Sequence, residues 1–381
     1  LYVSYINLPV QFPNPSQKRT KLVGRKKKKG IIVYMPHSAT TQPLPYTAVD
    51  EGGNTTISAV HPDIIRTHIL TRLDGPTLAS TACTTSQLYN LSTQEDLWTN
   101  ICHSTWPSTN TPRLRQVITT FPTGPRSFFS DSFPLLTTIS DPTAENSAPN
   151  SDRPSELISA VDVYYKGKPI FCKVIETETV TAWFRCSPFR LDLLDPKDVV
   201  ATRIRYPEGE DMCRELEEDL ALSWILIDPI GRRAVNLSSQ SPVSVQRHWL
   251  SGEVHVRFAT ILGGGERGSS SESAQCGVVI TCGGSQGRKL VVREVSLQVE
   301  DMDGMHLNGK DSLGILQRAL EGKMGRKGRR EEEGRKRYQE YLERKRQRKE
   351  RQLRTEGTLD MLFMAFGVLA FASFWLVVLC R

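Results

Sequence analysis

The chain has 381 residues, a formal net charge of +7 and an ordinary globular composition, which predicts two or three structural units. Residues 1–49 carry +8, residues 323–354 carry +9 and residues 355–381 carry −1, which leaves −9 for residues 50–322. An acidic body argues against a nucleic-acid-binding surface there. The eight cysteines include no C-x-x-C pair, which is typical of a reduced intracellular protein and excludes a zinc module of the RING type.

Residues 1–55 are predicted to be a disordered lead. This segment is rich in Pro, Thr and Gln and shows no apolar periodicity. Its basic run at 25–29 is followed by only five residues that could form an apolar core, too few for a signal peptide. A solvated lead is favoured over a nuclear address. The chain begins at Leu1, and Met35 is a plausible start of translation.

Residues 56–104 are predicted to fold into short helices. Pro62 suits a first helical position, and Ile65, Ile69 and Leu73 follow at a spacing of four, which places them in one stripe on one helix face. Residues 74–76, Asp-Gly-Pro, end this helix and begin another. On the second helix four side chains are expected to share a face: Leu78, Ala79, Ala82 and Cys83.

A further helix is predicted to begin with a capping box formed by Ser92 and Glu95, and to contain Leu97, Trp98 and Ile101. A helical unit of about forty residues lies near the lower size limit for independent folding. We therefore expect its apolar stripe to dock on a partner protein. The alternative is an ordinary helical cap packed on the next domain of the same chain.

Residues 105–137 are predicted to be a helical extension. Thr111 and Pro112 begin a helix whose inner side carries Leu114, Val117, Ile118 and Phe121. Three aromatic residues, Phe128, Phe129 and Phe133, are expected to lock the helices onto the next domain. Residues 138–155 are polar, rich in Pro and Ser, and without periodicity, which indicates a linker.

Residues 156–322 change to a period of two, which predicts an antiparallel β-sandwich or a curled barrel of seven or eight strands. The predicted elements begin with a hairpin that turns at 166–168, strands at 183–194 and 199–206 and an acidic helix within 208–222. Next come a central strand at 224–227 that is covered on both faces, strands at 254–258, 278–280 and 291–299, and a helix at 312–320. The Gly-rich stretch at 263–273 is expected to be a loop.

No group of residues in the sequence predicts catalysis, a metal or a cofactor. Gly263–Gly265 is too short for a phosphate loop, and Cys102 and His103 are sequence neighbours rather than a nucleophile pair. His248 and His255 could meet in space, but no further ligand follows at metal spacing. Asp301 begins a partial calcium-loop pattern that lacks its acidic twelfth residue. We therefore expect a protein that is not an enzyme.

Residues 323–356 are predicted to be a basic helix, and 359–380 a transmembrane tail anchor. Five Glu residues lie four positions before a Lys or Arg, at 331, 332, 333, 340 and 350, and few apolar residues accompany them. This pattern favours a self-standing charged stalk over a coiled coil. Residues 361–380 are uncharged and long enough to span a bilayer, and the basic segment before them predicts that the N-terminal part stays in the cytosol.

The segment 61–102 resembles an F-box. The resemblance is carried by the Pro at 62, the Ile-Leu-x-x-Leu at 69–73, the Leu-Ala at 78–79 and the Leu-Trp at 97–98; His61 and Leu88 depart from the usual pattern. Wider phrases, among them LISAVDVYYKG, SPFRLDLLDPKD and WILIDPIGRRAVNLSS, resemble a plant-specific group of F-box proteins with a hydrophobic C-terminal tail. The chain is thus expected to be an α+β multidomain protein.

The resemblance implies a substrate-receptor subunit of an SCF-type ubiquitin ligase. In such a complex the F-box binds a Skp-type adaptor, which links to cullin and RING subunits. The expected adaptor contacts are Pro62, Ile64, Ile65, Ile69, Leu70, Leu73, Leu78 and Leu97, with Trp98 at the rim.

The β-rich domain would hold an unknown protein substrate, and a lectin-like domain that binds carbohydrate is the alternative for it. A membrane-anchored scaffold that acts outside a ligase is the alternative for the whole chain. The expected location is the cytosolic face of the endoplasmic reticulum or another endomembrane. The nucleus is the alternative if the tail is not inserted.

Overall fold

The computed structural model describes residues 60–133, 154–207, 209–263, 273–284, 289–321 and 330–380. All of them belong to one compact unit, Thr56–Arg381. The predicted N-terminal lead, most of the predicted linker and most of the Gly-rich loop lie outside these ranges, so those predictions stay predictions.

The first part of the described chain is helical, as predicted. Its elements are α1 (Pro62–Ile64), a π turn (Ile65–Ile69), a 3-10 turn (Leu70–Arg72), α2 (Gly75–Thr81), α3 (Ser86–Ser92) and α4 (Glu95–Thr105). A second 3-10 turn (Pro107–Asn110), α5 (Pro112–Thr119) and α6 (Pro125–Ser132) follow. Pro62 begins α1. The Asp74 side chain accepts a bond from the Thr77 N–H at 3.1 Å and caps α2.

The predicted stripe of Ile65, Ile69 and Leu73, which lie four residues apart, is wrong, because the helix widens into the π turn. The Leu70 N–H donates to the carbonyl of Ile65, five residues earlier, as well as to that of Arg66. Ile65 and Leu70 therefore lie on the inner side, and both are buried. Ile69 is instead 40% exposed, and Leu73 is only half-buried.

Two smaller predictions about the next helices are also wrong. Of the four side chains predicted to share a face of the second helix, Leu78 and Ala82 are buried, while Ala79 and Cys83 are exposed. Ser92 does not cap α4, because it is the last residue of α3 and its hydroxyl donates to the Tyr89 carbonyl at 3.1 Å.

The second part is built from antiparallel strands in two sheets. Strands β1 (Glu156–Tyr165), β2 (Lys168–Glu178), β5 (Leu220–Asp228) and β6 (Arg233–Asn236) form a four-stranded sheet in the order β2-β1-β5-β6. A six-stranded sheet has the order β3-β10-β9-β8-β7, with β4 also paired to β10. Its members are β3 (Arg190–Asp192), β4 (Val200–Arg205), β7 (Ser244–Arg247), β8 (Val254–Gly263), β9 (Ser273–Gly284) and β10 (Lys289–Glu300).

The hairpin predicted around 166–168 is confirmed, with Lys166 and Gly167 at φ of 50° and 71° in its turn. The strand predicted at 183–194 is wrong over its first part, where α7 (Ala182–Cys186) forms and only the short β3 follows. In α7 the Thr181 side chain accepts from the Phe184 N–H at 3.2 Å and caps a single turn. Helices α8 (Glu210–Asp219) and α9 (Gly309–Glu321) lie where helices were expected.

The four-stranded sheet is covered on both faces. One face, which includes Val161, Trp224 and Leu226, shares a core with the six-stranded sheet and α9. The other face packs under the N-terminal helices through five side chains: Ile158, Ala160, Ile225, Ile227 and Ala234. The prediction that 224–227 is a strand buried on both sides is confirmed.

The predicted aromatic lock contributes to this second core. Phe128 and Phe129 are buried in it, and Phe133 stacks on Phe129 with ring centroids 4.9 Å apart. The inner residues predicted for α5 are buried as well. The helical unit therefore completes its interior with the β-sheet of the same chain.

The basic and apolar parts of the tail form one continuous helix, α10 (Arg330–Leu379). The predicted self-standing stalk is wrong for its first turns, because Tyr341 is 3% exposed and its hydroxyl donates to the Asp301 carbonyl at 2.8 Å. Lys345 pairs with Glu300 at 3.5 Å, and Arg348 Nε pairs with Asp303 at 2.8 Å.

Two exposed i,i+4 pairs on α10 have an order that the sequence analysis did not predict. Lys336 pairs with Glu340 and Arg346 pairs with Glu350, so the acidic residue lies on the C-terminal side of each i,i+4 pair. Such exposed pairs contribute little to stability, roughly 0.3–0.5 kcal/mol each. The buried Tyr341 and the pairs to the β region are therefore the contacts that hold this helix in place.

The contact between Gly75 and Phe129 allows a test of the helical core. A Cβ at Gly75 would lie 2.1 Å from the Phe129 ring, so Gly75→Ala must displace a buried side chain and should destabilise the protein by about 1–3 kcal/mol. Gly314→Ala on α9 is the matched control, because nothing lies within 4 Å of its added Cβ. Urea unfolding of the full chain in detergent should give a lower midpoint for the first variant alone. Equal midpoints would contradict the described packing of α2 on α6.

Candidate functional site

The exposed apolar side chains of the first helical turns form the candidate site. Ile64 on α1 is 50% exposed and Ile69 on the π turn is 40% exposed. Pro62 is also exposed, and Leu73 is half-buried at the end of the 3-10 turn. We call these four residues the exposed hook. Exposed apolar side chains that lie close together in the chain make this segment a candidate surface for binding another molecule.

The π turn is the reason that Ile69 faces solvent. An ordinary α-helix would place Ile69 directly over Ile65, because residues four apart share a face. The i→i+5 bond instead aligns Leu70 with Ile65, and both are at most 1% exposed. One extra residue in the turn thus sends Leu70 into the core and Ile69 out of it.

The five other residues predicted to contact a partner lie in the core. Ile65, Leu70, Leu78, Leu97 and Trp98 are between 0% and 3% exposed. Trp98, which was expected at the rim of the adaptor contact, is buried with the other four. Its indole N–H donates to the Ser92 carbonyl at 2.7 Å and its ring lies 5.3 Å from that of Phe129. These five residues belong to the core against which the exposed hook packs through Leu73.

Polar contacts hold the exposed hook in place. Arg66 forms an ion pair with Asp96 on α4. The Thr67 hydroxyl donates to the Asp63 carbonyl at 2.7 Å, and the Thr71 hydroxyl donates to the Thr67 carbonyl at the same distance. The buried Ile65 and Leu70 fix the hook on the core, and a segment held in one conformation binds a partner at a lower entropic cost.

The sequence analysis missed a buried carboxylate that joins the helices to the sheet. Asp162 on β1 is fully buried and accepts from the backbone N–H of Ser108 at 2.9 Å and from its hydroxyl at 2.5 Å. Nearby, the Tyr164 hydroxyl donates to the Thr105 carbonyl at 2.5 Å. Burial raises the pKa of Asp162, and the bonds from Ser108 oppose that shift. The sequence feature that could have indicated this contact is the single Asp between Val161 and Val163 in an otherwise apolar strand.

Three curated relatives from Arabidopsis thaliana match this chain. A protein described as a probable F-box protein is 51% identical, over 85% of this chain and 93% of its own length. Two described as F-box proteins are 45% and 46% identical, over 87% and 74% of this chain and 99% and 78% of their own lengths.

The chain belongs to the plant F-box proteins. No protein-family model and no solved structure matches it.

The structure supports one of the two interpretations of the helical unit in this F-box protein, because the unit packs on the next region of its own chain. Docking of the unit on a partner protein stays a prediction. The need for an interior does not by itself require a partner. This core leaves the apolar surface of Ile64 and Ile69 in the exposed hook uncovered.

The β region of this F-box protein offers a polar surface on the six-stranded sheet. His255 contacts Thr281, whose hydroxyl donates to Glu294 at 3.1 Å, and Arg190 donates to the same carboxylate at 2.8 Å. Burial lowers the pKa of His255. His248 and His255 do meet, with ring centroids 6.1 Å apart. Within the described ranges no group of three or more His, Cys, Asp or Glu residues could hold a metal ion.

The buried Asp162 predicts a measurable pH dependence. Its folded pKa is raised above its unfolded value, so the folded state binds the extra proton in the window between the two. The contribution of Asp162 to stability therefore falls as pH rises from about 4, the ordinary Asp pKa, through the folded pKa. Asp162→Asn keeps an acceptor for Ser108 but cannot ionise. Urea midpoints at pH 4 and pH 7 should favour the Asn variant more at pH 7. An unchanged difference between the two proteins would contradict this assignment.

Proposed function

We propose that this F-box protein is a substrate-receptor subunit of an SCF-type ubiquitin ligase, tethered to a membrane. The observation that carries the proposal is the exposed hook, which lies in the segment that resembles an F-box in a chain of this family. The protein performs no bond chemistry of its own. It binds a Skp-type adaptor, which connects it to cullin and RING subunits, and raises the effective concentration of target lysines near the ubiquitin-loaded enzyme.

In this proposal the adaptor contacts Pro62, Ile64, Ile69 and Leu73 directly. Half-exposed Ile side chains on an ordered support bury further apolar area at a low entropic cost. The five buried residues beneath them act through the position of the hook. Leu97 and Trp98, for example, hold α4, and α4 carries the Asp96 partner of Arg66.

The β region holds the target in this proposal. We infer that its two sheets, which share one core, form a β-sandwich. The polar surface around Glu294 on the six-stranded sheet supplies bond donors and acceptors for recognition. Recognition of a protein is favoured, and a carbohydrate ligand remains the alternative for the same surface.

The apolar half of α10 is the proposed membrane span. It is long and apolar enough to cross a bilayer, and its side chains are exposed throughout 359–379. The excess of Lys and Arg before it supports a cytosolic location for the F-box and β region in this proposal. An endomembrane such as the endoplasmic reticulum is the proposed location.

Loss of the exposed hook should abolish adaptor binding. Ile64→Asp with Ile69→Asp places two charges in an apolar contact and should weaken binding of a plant Skp-type adaptor roughly 100-fold or more. The measurement is a titration of purified adaptor by biolayer interferometry.

Ile230→Asp is the control for this experiment, because Ile230 is 66% exposed in the turn between β5 and β6, outside the hook. The control should bind like the parent. Equal binding by the hook variant would reject the receptor proposal and favour a membrane-anchored scaffold that acts outside a ligase.

Deletion of 359–381 should release the protein from membranes. The parent should resist extraction by high salt and alkaline carbonate and yield only to detergent, because about twenty apolar residues are removed from water. The deletion variant should appear in the soluble fraction. Detergent-dependent association that survives the deletion would rule out this segment as the anchor.

A further inference from the structure

The edges of the two sheets differ in length and in cover. β6, at one edge of the four-stranded sheet, has four residues and packs against α6 and α9. In the six-stranded sheet, β7 has four residues and packs against α8, and the opposite edge is divided between β3 and β4, of three and six residues. β2, the remaining edge strand of the described chain, has eleven residues. Proteins usually avoid unwanted strand pairing by short or covered edges, so β2 is the exception.

The alternation of hydrogen bonds shows which residues of β1 bond to β2. The Leu237 N–H, just after β6, donates to the Trp224 carbonyl at 2.8 Å, so Trp224 bonds on the β6 side of β5. Its neighbour Ile225 therefore bonds on the β1 side, where it lies opposite Ala160. Because Ala160 bonds to β5, the adjacent residue Ser159 bonds to β2.

The same alternation identifies the backbone groups of β2 that point away from the sheet. Ser159 lies opposite Ile175, which therefore bonds to β1. The residues on either side of Ile175 present their N–H and C=O groups outward, and so do those two positions further along the strand in each direction. The outward residues are Cys172, Val174, Glu176 and Glu178. Within the described ranges their outward groups form no backbone hydrogen bond, which leaves a row of free donors and acceptors about 20 Å long.

The C-terminal half of β2 carries an excess of negative charge. Glu156, Glu176 and Glu178 line an open depression of about 500 Å³ together with Arg113. Arg113 pairs with Glu156 at 3.2 Å and with Glu176 at 3.6 Å. A hydrogen bond with Glu156 raises the pKa of Glu176, as expected where carboxyl groups crowd together. Three carboxyl groups beside one guanidinium favour the approach of a further cation.

We propose that β2 accepts an extended, basic segment of the target as an added strand. The inference rests on the proposed function in one respect, because the segment is taken to belong to the protein that the receptor recruits. Backbone bonds to the outward groups of β2 hold the segment, and cross-strand side-chain pairs select its sequence. In the antiparallel direction, a Lys or Arg lies opposite Glu178, a second lies opposite Glu176 two residues later, and an apolar residue follows opposite Val174.

A second copy of this chain suits the same edge less well. Antiparallel pairing of two β2 strands would place the outward residues of one copy opposite those of the other. These residues carry thiol, apolar and acidic side chains, so a second copy brings no cation to Glu176 or Glu178. A basic segment supplies that cation, and it is therefore the occupant that the charges favour.

Fluorescence anisotropy with a labelled synthetic peptide of this pattern tests strand addition. The full chain is kept in a neutral detergent. One form of the peptide is N-methylated at the residues expected opposite Glu178, Glu176 and Val174, and a second form is N-methylated at the intervening residues. The first form should bind roughly tenfold more weakly or worse, because its bonds to β2 are lost. The second form should bind like the unmethylated peptide.

Reversal of charge at the edge tests the predicted sequence preference. Glu176→Lys with Glu178→Lys should weaken binding of the unmethylated peptide roughly tenfold or more, because two attractive pairs become repulsive. Glu215→Lys with Glu218→Lys, at exposed positions of α8, is the matched control with the same change in charge. Equal weakening by the two double variants, or equal binding of all three peptides, would indicate attraction by charge alone and overturn the proposal.

Amide hydrogen exchange locates the bound peptide. The outward amides within 170–178 should exchange fast in the free chain and slow when the peptide saturates it. Slowing confined to the surface around Glu294 would overturn the proposal. Protection of these amides in the free chain would also overturn it, because the edge is then already occupied. Loss of that protection on dilution would identify a second copy as the occupant.

The adaptor titration separates this inference from the proposed function. If the adaptor binds the parent but the unmethylated peptide does not, strand addition is overturned and the receptor role stands. If the peptide binds with the stated preferences but the adaptor does not, the receptor role fails and β2 remains a peptide-binding edge.

Discussion

The four-stranded sheet, covered on both faces, is the constraint on which the rest of the structure depends. Its strands β1 and β5 alternate between two interiors, so that Val161 and Trp224 face the second sheet while Ile158 and Ile225 face the helices. Exposing the side chains of either face to water would destabilise the fold, because each buried aliphatic side chain contributes roughly 1.5–3 kcal/mol. The helical segment therefore shares a core with the sheet and lies in the same compact unit, although its sequence resembles a separate module.

Buried polar contacts fix the position of the helices on this sheet. Apolar packing alone is non-directional, whereas Asp162 accepts two bonds from one residue, Ser108, and permits a single placement. Tyr164 adds a second bond nearby, to the Thr105 carbonyl. Further contacts connect these bonds to the exposed hook: Trp98 lies on α4 and bonds to the Ser92 carbonyl, and α4 also carries Asp96, which pairs with Arg66. These contacts therefore determine the orientation of the hook relative to the β region.

Much of this fold could be predicted because the sequence patterns are local and strong. The helices at 62–132, the hairpin at 166–168 and the continuous apolar strand at 224–227 follow from caps, turns and periodicity. The π turn could not be predicted, because it depends on the space that the core offers to Leu70 rather than on any residue preference. The capping-box pattern at Ser92 failed for a similar reason. The Ser92 carbonyl is held by Trp98, and the chain turns there before α4 begins.

The motif names nine expected contacts but does not indicate which of them face outward, and five of them lie in the core. Their burial depends on residues far along the chain, such as Phe129 on α6, whose ring lies 5.3 Å from that of Trp98. The docking of α10 was missed in the same way. Its stripe of Tyr341, Lys345 and Arg348 looks like ordinary surface until Glu300 and Asp303 are brought next to it.

α10 joins the β region to its apolar half without a loop or a glycine–proline break, and this has a consequence for reach. A flexible linker lets a domain sample a volume that grows with linker length, whereas a continuous helix acts as a spacer of fixed length. Under the proposed membrane span, a receptor carried on this spacer would explore a thin layer parallel to the membrane. Such a receptor would select targets by the height at which they present their binding segment, in addition to its chemistry.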